Sequence, residues 1–265
     1  MFNFNDNEIL TFFLVLVRYT VLFAVMPFFG DAVVPGVVRV LLGTTISFAM
    51  FPALVSQGWV NPSEAEVWGS SAGSIIAMTS LEVLFGLCIG FLGRLIFDTL
   101  TLGGTLAGTF MGFAMASQVD PLRESQTQTV SQIFTLTGMM VFLAGNGHHL
   151  MLQSVLDSYR YVHMGGVHFG PDFSKEIIGL TGHMFRIGLQ LAAPIAFSVF
   201  VVNVVYGLFS KAMPQLNILV LSFAVTALIG LVVMYLSFPD LVAIVRDLSE
   251  RVGDTMSRTM RVLGG

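Results

Sequence analysis

Long apolar runs constrain the fold of this chain more than any other feature. Each is long enough for a membrane-crossing helix, which needs about 20 residues. The runs lie at residues 9–29, 33–56, 71–97, 128–147, 185–209 and 216–238. Hydrophobic residues make up 55% of the 265 residues and charged residues only 11%, whereas soluble domains carry about 25% charged residues. We therefore predict an all-α membrane protein built of helical hairpins, with about six long apolar helices.

The predicted organisation is a single membrane domain over residues 1–265. Its parts are an N-terminal hairpin (1–56), a helix with a glycine-rich segment (71–121), central helices with a loop (125–210) and a C-terminal helix with an amphipathic tail (211–265). In the tail, apolar residues recur at helical spacing between charged ones, which predicts an amphipathic helix over residues 240–262.

Two prolines mark predicted helix breaks. Pro194 lies inside the apolar run at 185–209 and removes one backbone hydrogen bond, so two half-helices are as consistent with the sequence as one helix. Pro214 lies in a short stretch that separates this helix from the next.

The glycine-rich segment from Gly103 to Pro121 combines small residues with large, soft apolar ones. Glycines at i, i+4 spacing are typical of helices that pack very closely, but each costs a helix roughly 1 kcal/mol relative to alanine. Two interpretations follow: a glycine-zipper helix in a membrane bundle, or a deformable apolar constriction that excludes water and ions. The residues concerned are Gly104, Gly108, Phe110, Met111, Gly112, Phe113 and Met115.

Four of the charged residues that interrupt the apolar helices are candidate contact residues. Arg18 is expected to face protein, water or a carboxylate, since an arginine in the middle of a bilayer is unfavourable by about 2.5 to 3.5 kcal/mol on insertion scales. Arg39 is nearer a helix end and can extend its charge to the interface. Glu82 shares a helix face with Gly86 and Gly90, so a neighbouring backbone can approach beside the carboxylate, and Arg94 follows on the same helix.

The sequence contains no pattern that favours an enzyme. Neither GxSxG nor a Ser/His/Asp set occurs in a persuasive context, and HExxH and a Walker A lysine are absent. Cys88 is the only cysteine, so neither a disulfide framework nor a thiolate metal cluster is expected. His148 and His149 are interpreted as polar contacts at a helix start rather than metal ligands, since adjacent histidines diverge on a helix. No metal or cofactor is expected, and the net charge of −4 does not favour nucleic-acid binding.

Several stretches together, in order along most of the chain, resemble the FliR/SctT family of type III export-gate membrane proteins. These stretches contain Arg18 with Pro27, Pro35 and Arg39, Glu82 with Gly86 and Gly90, Gly104 to Pro121, His148–His149, Ala193–Pro194, Asn203, Gly207, Pro214–Gln215 and Asn217.

The resemblance implies a subunit that seals the pore of the flagellar protein export gate in the bacterial inner membrane, at the flagellar basal body. It implies assembly with FliP-like and FliQ-like subunits, work with FlhA-like and FlhB-like export proteins, and passage of unfolded export substrates. The family's plug corresponds to Gly104–Pro121, and Arg18, Arg39, Glu82 and Arg94 are implied to contact neighbouring subunits rather than lipid.

Two alternatives to the export gate remain at this stage. One is a secondary transporter or small-solute channel with a polar site formed by Glu82, Arg18 and Arg94. The other is a scaffold that only nucleates assembly. Changing the plug residues would alter ion leak on the export-gate interpretation and would leave it unchanged for a scaffold.

Overall fold

The computed structural model describes residues 5–27, 34–113, 125–212 and 218–264. Within these ranges the chain is helical, with no β-strand, which confirms the predicted all-α class. Met115, Pro121 and Pro214, which the sequence analysis singled out, lie outside the described residues.

The helices follow the predicted apolar runs, although several of their ends differ from the predicted ones. They are α1 (Asp6–Val25), α2 (Gly36–Ser56), a 3-10 turn (Pro62–Glu64), α3 (Ala65–Trp68), α4 (Ala72–Phe110), α5 (Ser125–Ala144), α6 (Gly147–Tyr161), α7 (Pro171–Ala212), α8 (Ile218–Leu236) and α9 (Phe238–Gly264). The largest extensions beyond the predicted runs are in α4 and α7.

The amphipathic tail is helical as predicted, and its apolar face is the buried one. The residues at helical spacing that are at most 5% exposed are Leu241, Val245, Leu248, Val252 and Met256. Charged residues, including Arg246 and Arg251, occupy the exposed positions between them. The helix is therefore held by burial of one stripe of side chains, which is how most helices in proteins are stabilised.

Two compact units divide the chain, and each combines segments that are distant in sequence. Unit 1 consists of Met1–Leu95, Asn146–Gly179 and Glu250–Gly265. Unit 2 consists of Ile96–Gly145 and Leu180–Ser249. The single membrane domain over residues 1–265 with consecutive parts stays a prediction.

Four of the described helices are long and apolar enough to cross a membrane: α1, α2, α4 and the Pro171–Ser210 part of α7. A fifth candidate is the pair Leu221–Leu236 and Phe238–Gly264, which is bent by 52°. The apolar part of α5, Thr129–Ala144, is shorter than a full span. The described residues therefore contain four or five helices that are long and apolar enough to cross a membrane, fewer than the predicted number of about six.

Pro194 lies inside α7, which continues on both sides of it. Of the two alternatives that the sequence left open, the structure has one helix, and the predicted helix break at Pro194 is wrong. A proline removes only one backbone hydrogen bond, and in apolar helices the freed carbonyl can be satisfied locally. The hydroxyl of Ser198 donates to the Pro194 carbonyl at 2.8 Å, a bond in the next turn that does not involve the Gln190 carbonyl freed by the proline.

Candidate functional site

The glycine-rich segment begins as a regular part of α4, not as a bend. Gly103 faces α7, where an added Cβ would lie 3.0 Å from Leu191 Cβ and 3.1 Å from the Gly188 carbonyl oxygen. Gly104 faces α5, and a Cβ there would overlap the Cα of Ser131. Burial and close backbone packing thus compensate for the low helix propensity of glycine, and this half of the segment fits the glycine-zipper interpretation.

The helix α4 ends at Phe110, and Met111 and Gly112 form a turn. Gly112 has φ +90°, a left-handed conformation that glycine adopts at little cost. Its N–H donates to the Thr109 carbonyl at 3.1 Å, and the N–H of Met111 donates to Ala107 at 3.0 Å. The chain therefore turns sharply out of α4 at the point where its large apolar side chains are concentrated.

Those side chains differ in their surroundings. Phe110 is 47% exposed, whereas Met111 is completely buried. Phe113 makes an edge-to-face contact with Phe223 of α8, with ring centroids 6.4 Å apart. Gly108 is buried in α4. Among the plug candidates in the described residues, the Phe110 ring is therefore exposed, whereas the Met111 and Phe113 side chains pack against other parts of the same chain.

A second candidate site lies in unit 1, where Arg18 of α1 pairs with Glu82 of α4. The two side chains form a two-pronged ion pair: Nε donates to Oε2, and Nη2 donates to Oε1 at 2.9 Å. Both side chains are 0% exposed. Arg18 therefore has a carboxylate partner, which is one of the environments expected from the free-energy cost of placing an arginine inside an apolar helix.

Further bonds satisfy most of the remaining polar atoms of this pair. Arg18 Nη1 donates to the Ser158 hydroxyl at 3.2 Å and to the Val162 carbonyl at 3.4 Å. The Gly165 N–H donates to Glu82 Oε1 at 3.0 Å. The ion pair therefore joins α1 and α4 to the end of α6 and to the loop that follows it.

Two aromatic rings complete the enclosure of the guanidinium. The Arg18 Cζ lies 3.9 Å from the ring centroid of Tyr159 and 4.4 Å from that of Phe85. Burial raises the pKa of Tyr159 well above its ordinary value, although the nearby Arg18 acts to lower it. The phenol is therefore neutral at physiological pH, and its ring interacts with the cation as an uncharged aromatic group.

The close approach of α1 to α4 depends on glycine, as the sequence suggested. A Cβ added to Gly86 would lie 3.1 Å from the carbonyl oxygen of Arg18, and one added to Gly90 would lie 2.8 Å from Val25 Cβ. Both glycines lie on the face of α4 that carries Glu82. The two helices can therefore meet closely enough for a direct, buried ion pair.

The other predicted charge and histidine sites lie elsewhere. Arg39 is half-buried and donates from Nε to the Val34 carbonyl at 3.1 Å, while Arg94 is exposed. His148 and His149 lie in the first turn of α6, with ring centroids 4.3 Å apart. Within the described ranges, no group of three or more His, Cys, Asp or Glu side chains is arranged to hold a metal ion.

The contacts of Arg18 and Glu82 with neighbouring subunits stay a prediction. In this structure both side chains are enclosed within the chain and are bonded to each other. Sequence reasoning missed the partners of both sites: Ser158, Val162 and Gly165 for the ion pair, and Phe223 for the Gly112 turn. For the ion-pair partners, the sequence offered one signal, the face of the amphipathic helix α6 that carries serines. Such a face is too common to identify a partner.

Comparison with known proteins covers nearly the whole chain. The model of a family described as "Bacterial export proteins, family 1" matches residues 9–252. The flagellar biosynthetic protein FliR of Bacillus subtilis (strain 168) is 26% identical over 96% of this chain and 95% of its own length. FliR of Escherichia coli (strain K12) is 26% identical over 86% of this chain and 84% of its own. The Yop proteins translocation protein T of Yersinia pestis is 26% identical over 87% of each chain.

Proposed function

Because the chain belongs to the bacterial export proteins, family 1, we propose that it is the pore-sealing subunit of a type III protein export gate. As a member of this family it is a component of the type III export apparatus and not an enzyme. The proposal is that it lines and closes a conduit through which unfolded export substrates leave the cell interior. The flagellar relatives favour a role in flagellum assembly.

The observation that carries the proposal is the left-handed turn at Gly112. A seal in a protein-conducting pore has to exclude water and ions and also move aside for an extended polypeptide. Apolar side chains can close a pore by dewetting, without a fixed ring of ligands. Phe110, Met111 and Phe113 surround a glycine whose backbone can change conformation at low cost, which suits a movable apolar plug.

The exposed apolar faces of the long helices support assembly with other subunits in a membrane. Phe197 is 71% exposed, Phe200 63% and Leu208 69%, all on α7. Exposed apolar surface of this extent requires lipid or protein contact. We propose FliP-like and FliQ-like subunits as neighbours, FlhA-like and FlhB-like proteins as further partners, and the bacterial inner membrane at the flagellar basal body as the location. Arg39 and Arg94 are the charged residues proposed for contacts with neighbouring subunits.

The transporter alternative is less well supported, because most hydrogen-bonding atoms of Arg18 and Glu82 are already bonded within the chain, which leaves few for a solute. Arg18 and Glu82 bond each other, a hydroxyl and two backbone groups. Purification in mild detergent with mass determination separates the two functions. An export-gate subunit is expected in a large hetero-oligomer, and a solute transporter as a monomer or homodimer with reconstituted flux.

The test of the plug replaces Phe113 and Met115 by glycine in cells that express the whole assembly. We expect a higher ion leak, because the large apolar side chains that exclude water are removed. The matched control replaces both residues by leucine, which keeps apolar bulk and should keep the leak low. Unchanged conductance of the glycine variant, in a complex that still assembles, would contradict the plug assignment.

A further inference from the structure

The base of the plug segment packs against one face of α8, a contact that the sequence did not indicate. A Cβ added to Gly230 of α8 would overlap the side chain of Met111, lying 3.0 Å from its Cε and 3.1 Å from its Sδ. Met111 is completely buried. The missing side chain of Gly230 therefore forms a socket that the Met111 thioether fills.

Two further contacts continue along the same face of α8. A Cβ added to Gly112 would lie 3.2 Å from Phe223 Cδ2 and 3.9 Å from the Thr226 hydroxyl oxygen. Phe113 contacts the edge of Phe223. Phe223, Thr226 and Gly230 are spaced three and four residues apart, so they share one side of the helix. Three consecutive residues, Met111, Gly112 and Phe113, thus meet three positions of a single helix face.

We infer that this face of α8 is the dock that holds the plug in its closed position, with Gly230 and Phe223 as positioning residues and Met111 as the anchor. The inference rests on the proposed sealing function and specifies how the seal is kept closed. Gly112 is then the hinge, because its left-handed backbone directs Met111 into the socket and Phe113 onto Phe223. Opening requires Met111 to leave the socket.

The roles of neighbouring residues differ accordingly. Phe110 is nearly half exposed and Met111 is completely buried. A side chain already buried in its own chain cannot also present its surface to a pore. Met111 therefore acts on the seal indirectly, by holding the segment in place, whereas Phe110 is free to contribute to the barrier itself.

The first experiment enlarges the side chain at Gly230 and shortens the Met111 side chain that packs against it, singly and together. Gly230→Leu fills the socket without altering the plug segment, and Met111→Ala empties it. We expect each variant to raise ion leak about tenfold, because a lost buried contact shifts the equilibrium between closed and open positions. The double variant, Met111→Ala with Gly230→Leu, supplies the apolar volume from α8 and should restore a low leak.

The matched control for Gly230→Leu is Val232→Leu. Val232 is on the same helix and is 50% exposed, so a larger apolar side chain there should leave the leak unchanged. Assembly of each variant is measured by co-purification of the complex. A leak that is low in both single variants, in assembled complexes, would overturn the dock; so would a double variant that leaks as much as the singles.

A second experiment locks the contact covalently. In a Cys88→Ser background, Met111→Cys and Gly230→Cys place two thiols where the Met111 side chain meets Gly230, within reach of a disulfide. Oxidation should stop substrate export and leave the ion leak low, and a reductant should restore export. Export that continues through an oxidised, fully cross-linked complex would show that Met111 does not need to leave the socket, and would overturn the inference.

The two experiments separate failure of the dock from failure of the plug. If Phe113→Gly with Met115→Gly leaks and the socket variants do not, the seal stands and the dock on α8 is wrong. If none of these variants leaks in assembled complexes, the sealing function itself is wrong, and the dock fails with it.

Discussion

Both units use glycines for close helix packing, but unit 1 adds a buried ion pair to the contact between its helices. In unit 1, a buried guanidinium and carboxylate gather α1, α4 and the end of α6 through charged hydrogen bonds. In unit 2, small or missing side chains at Gly103, Gly104 and Gly230 let α4 and the residues just after it pack directly on α7, α5 and α8. Removing one partner of the charged contact leaves the other buried and unpaired, whereas the apolar contact can be weakened in small steps. A part that must stay assembled suits the first arrangement, and a part that must open suits the second.

The largest expected effect comes from breaking the ion pair on one side. Arg18→Met leaves Glu82 buried without its partner, which should destabilise the protein by about 3 to 5 kcal/mol and abolish assembly. The measurement is recovery of the complex in mild detergent, with its thermal unfolding midpoint.

The double variant Arg18→Met with Glu82→Leu sharpens the test, because replacing both charges by apolar groups of similar size is often close to neutral. We expect most of the assembly to return. A double variant as defective as Arg18→Met alone would show that unit 1 needs the polar bonds themselves, and not just the absence of an unpaired buried charge.

An intermediate effect is expected where α4 meets α5 in unit 2. Gly104→Ala places a Cβ against the backbone of Ser131 and should cost about 1 to 3 kcal/mol through overpacking. The matched change is Gly207→Ala on α7, where an added Cβ has nothing within 4 Å. There alanine should stabilise the helix by up to about 1 kcal/mol. Equal thermal midpoints for the two variants would contradict the close-packing account of unit 2.

The smallest effect is expected at Tyr159, whose hydroxyl has no hydrogen-bond partner among the described residues. Tyr159→Phe keeps the ring on Arg18 and should change stability by less than about 1 kcal/mol at pH 7. Tyr159→Leu, which loses the ring, should cost more, through the lost cation–π contact. Thermal unfolding of the purified complex measures both.

The pH dependence of Tyr159 follows from its raised pKa. An unfolded tyrosine ionises near pH 10, whereas the buried phenol ionises only at higher pH. The stability contributed by keeping this group neutral is complete below about pH 10 and is lost as the pH rises further. Tyr159→Phe should lose less stability than the wild type between neutral pH and strongly alkaline pH. An identical alkaline loss in the two proteins would contradict the burial of a neutral phenol.

The sequence predicted those features that a single helix determines. Arg18 and Glu82 stood out because an unpaired charge in an apolar run is unfavourable, and Gly86 and Gly90 indicated a close approach on the correct face. The amphipathic period of residues 240–262 predicted α9 for the same reason: the pattern within one helix records which side is buried.

The sequence could not predict features that depend on packing between distant segments. The low propensity of glycine suggested that the segment from Gly103 would bend, but contacts with Ser131 and Leu191 keep it helical to Phe110. The additional partners of Arg18 come from the end of α6 and the residue after it, 140 and 144 residues further along the chain. The socket at Gly230 was hidden for a related reason, since a single glycine in an apolar helix gives no sign of which side chain will fill it.

The spacing of the Arg18 partners has a consequence for biosynthesis. Glu82 is 64 residues beyond Arg18, and the Val162 carbonyl is 144 residues beyond it. At a synthesis rate of about 5 to 20 residues per second, the ribosome adds Glu82 several seconds after Arg18. During that interval the young helix carries an uncompensated cation, which favours a shallow or water-facing position over full insertion. The N-terminal hairpin is therefore expected to reach its final depth only late in translation, so membrane integration of this protein should not proceed strictly helix by helix.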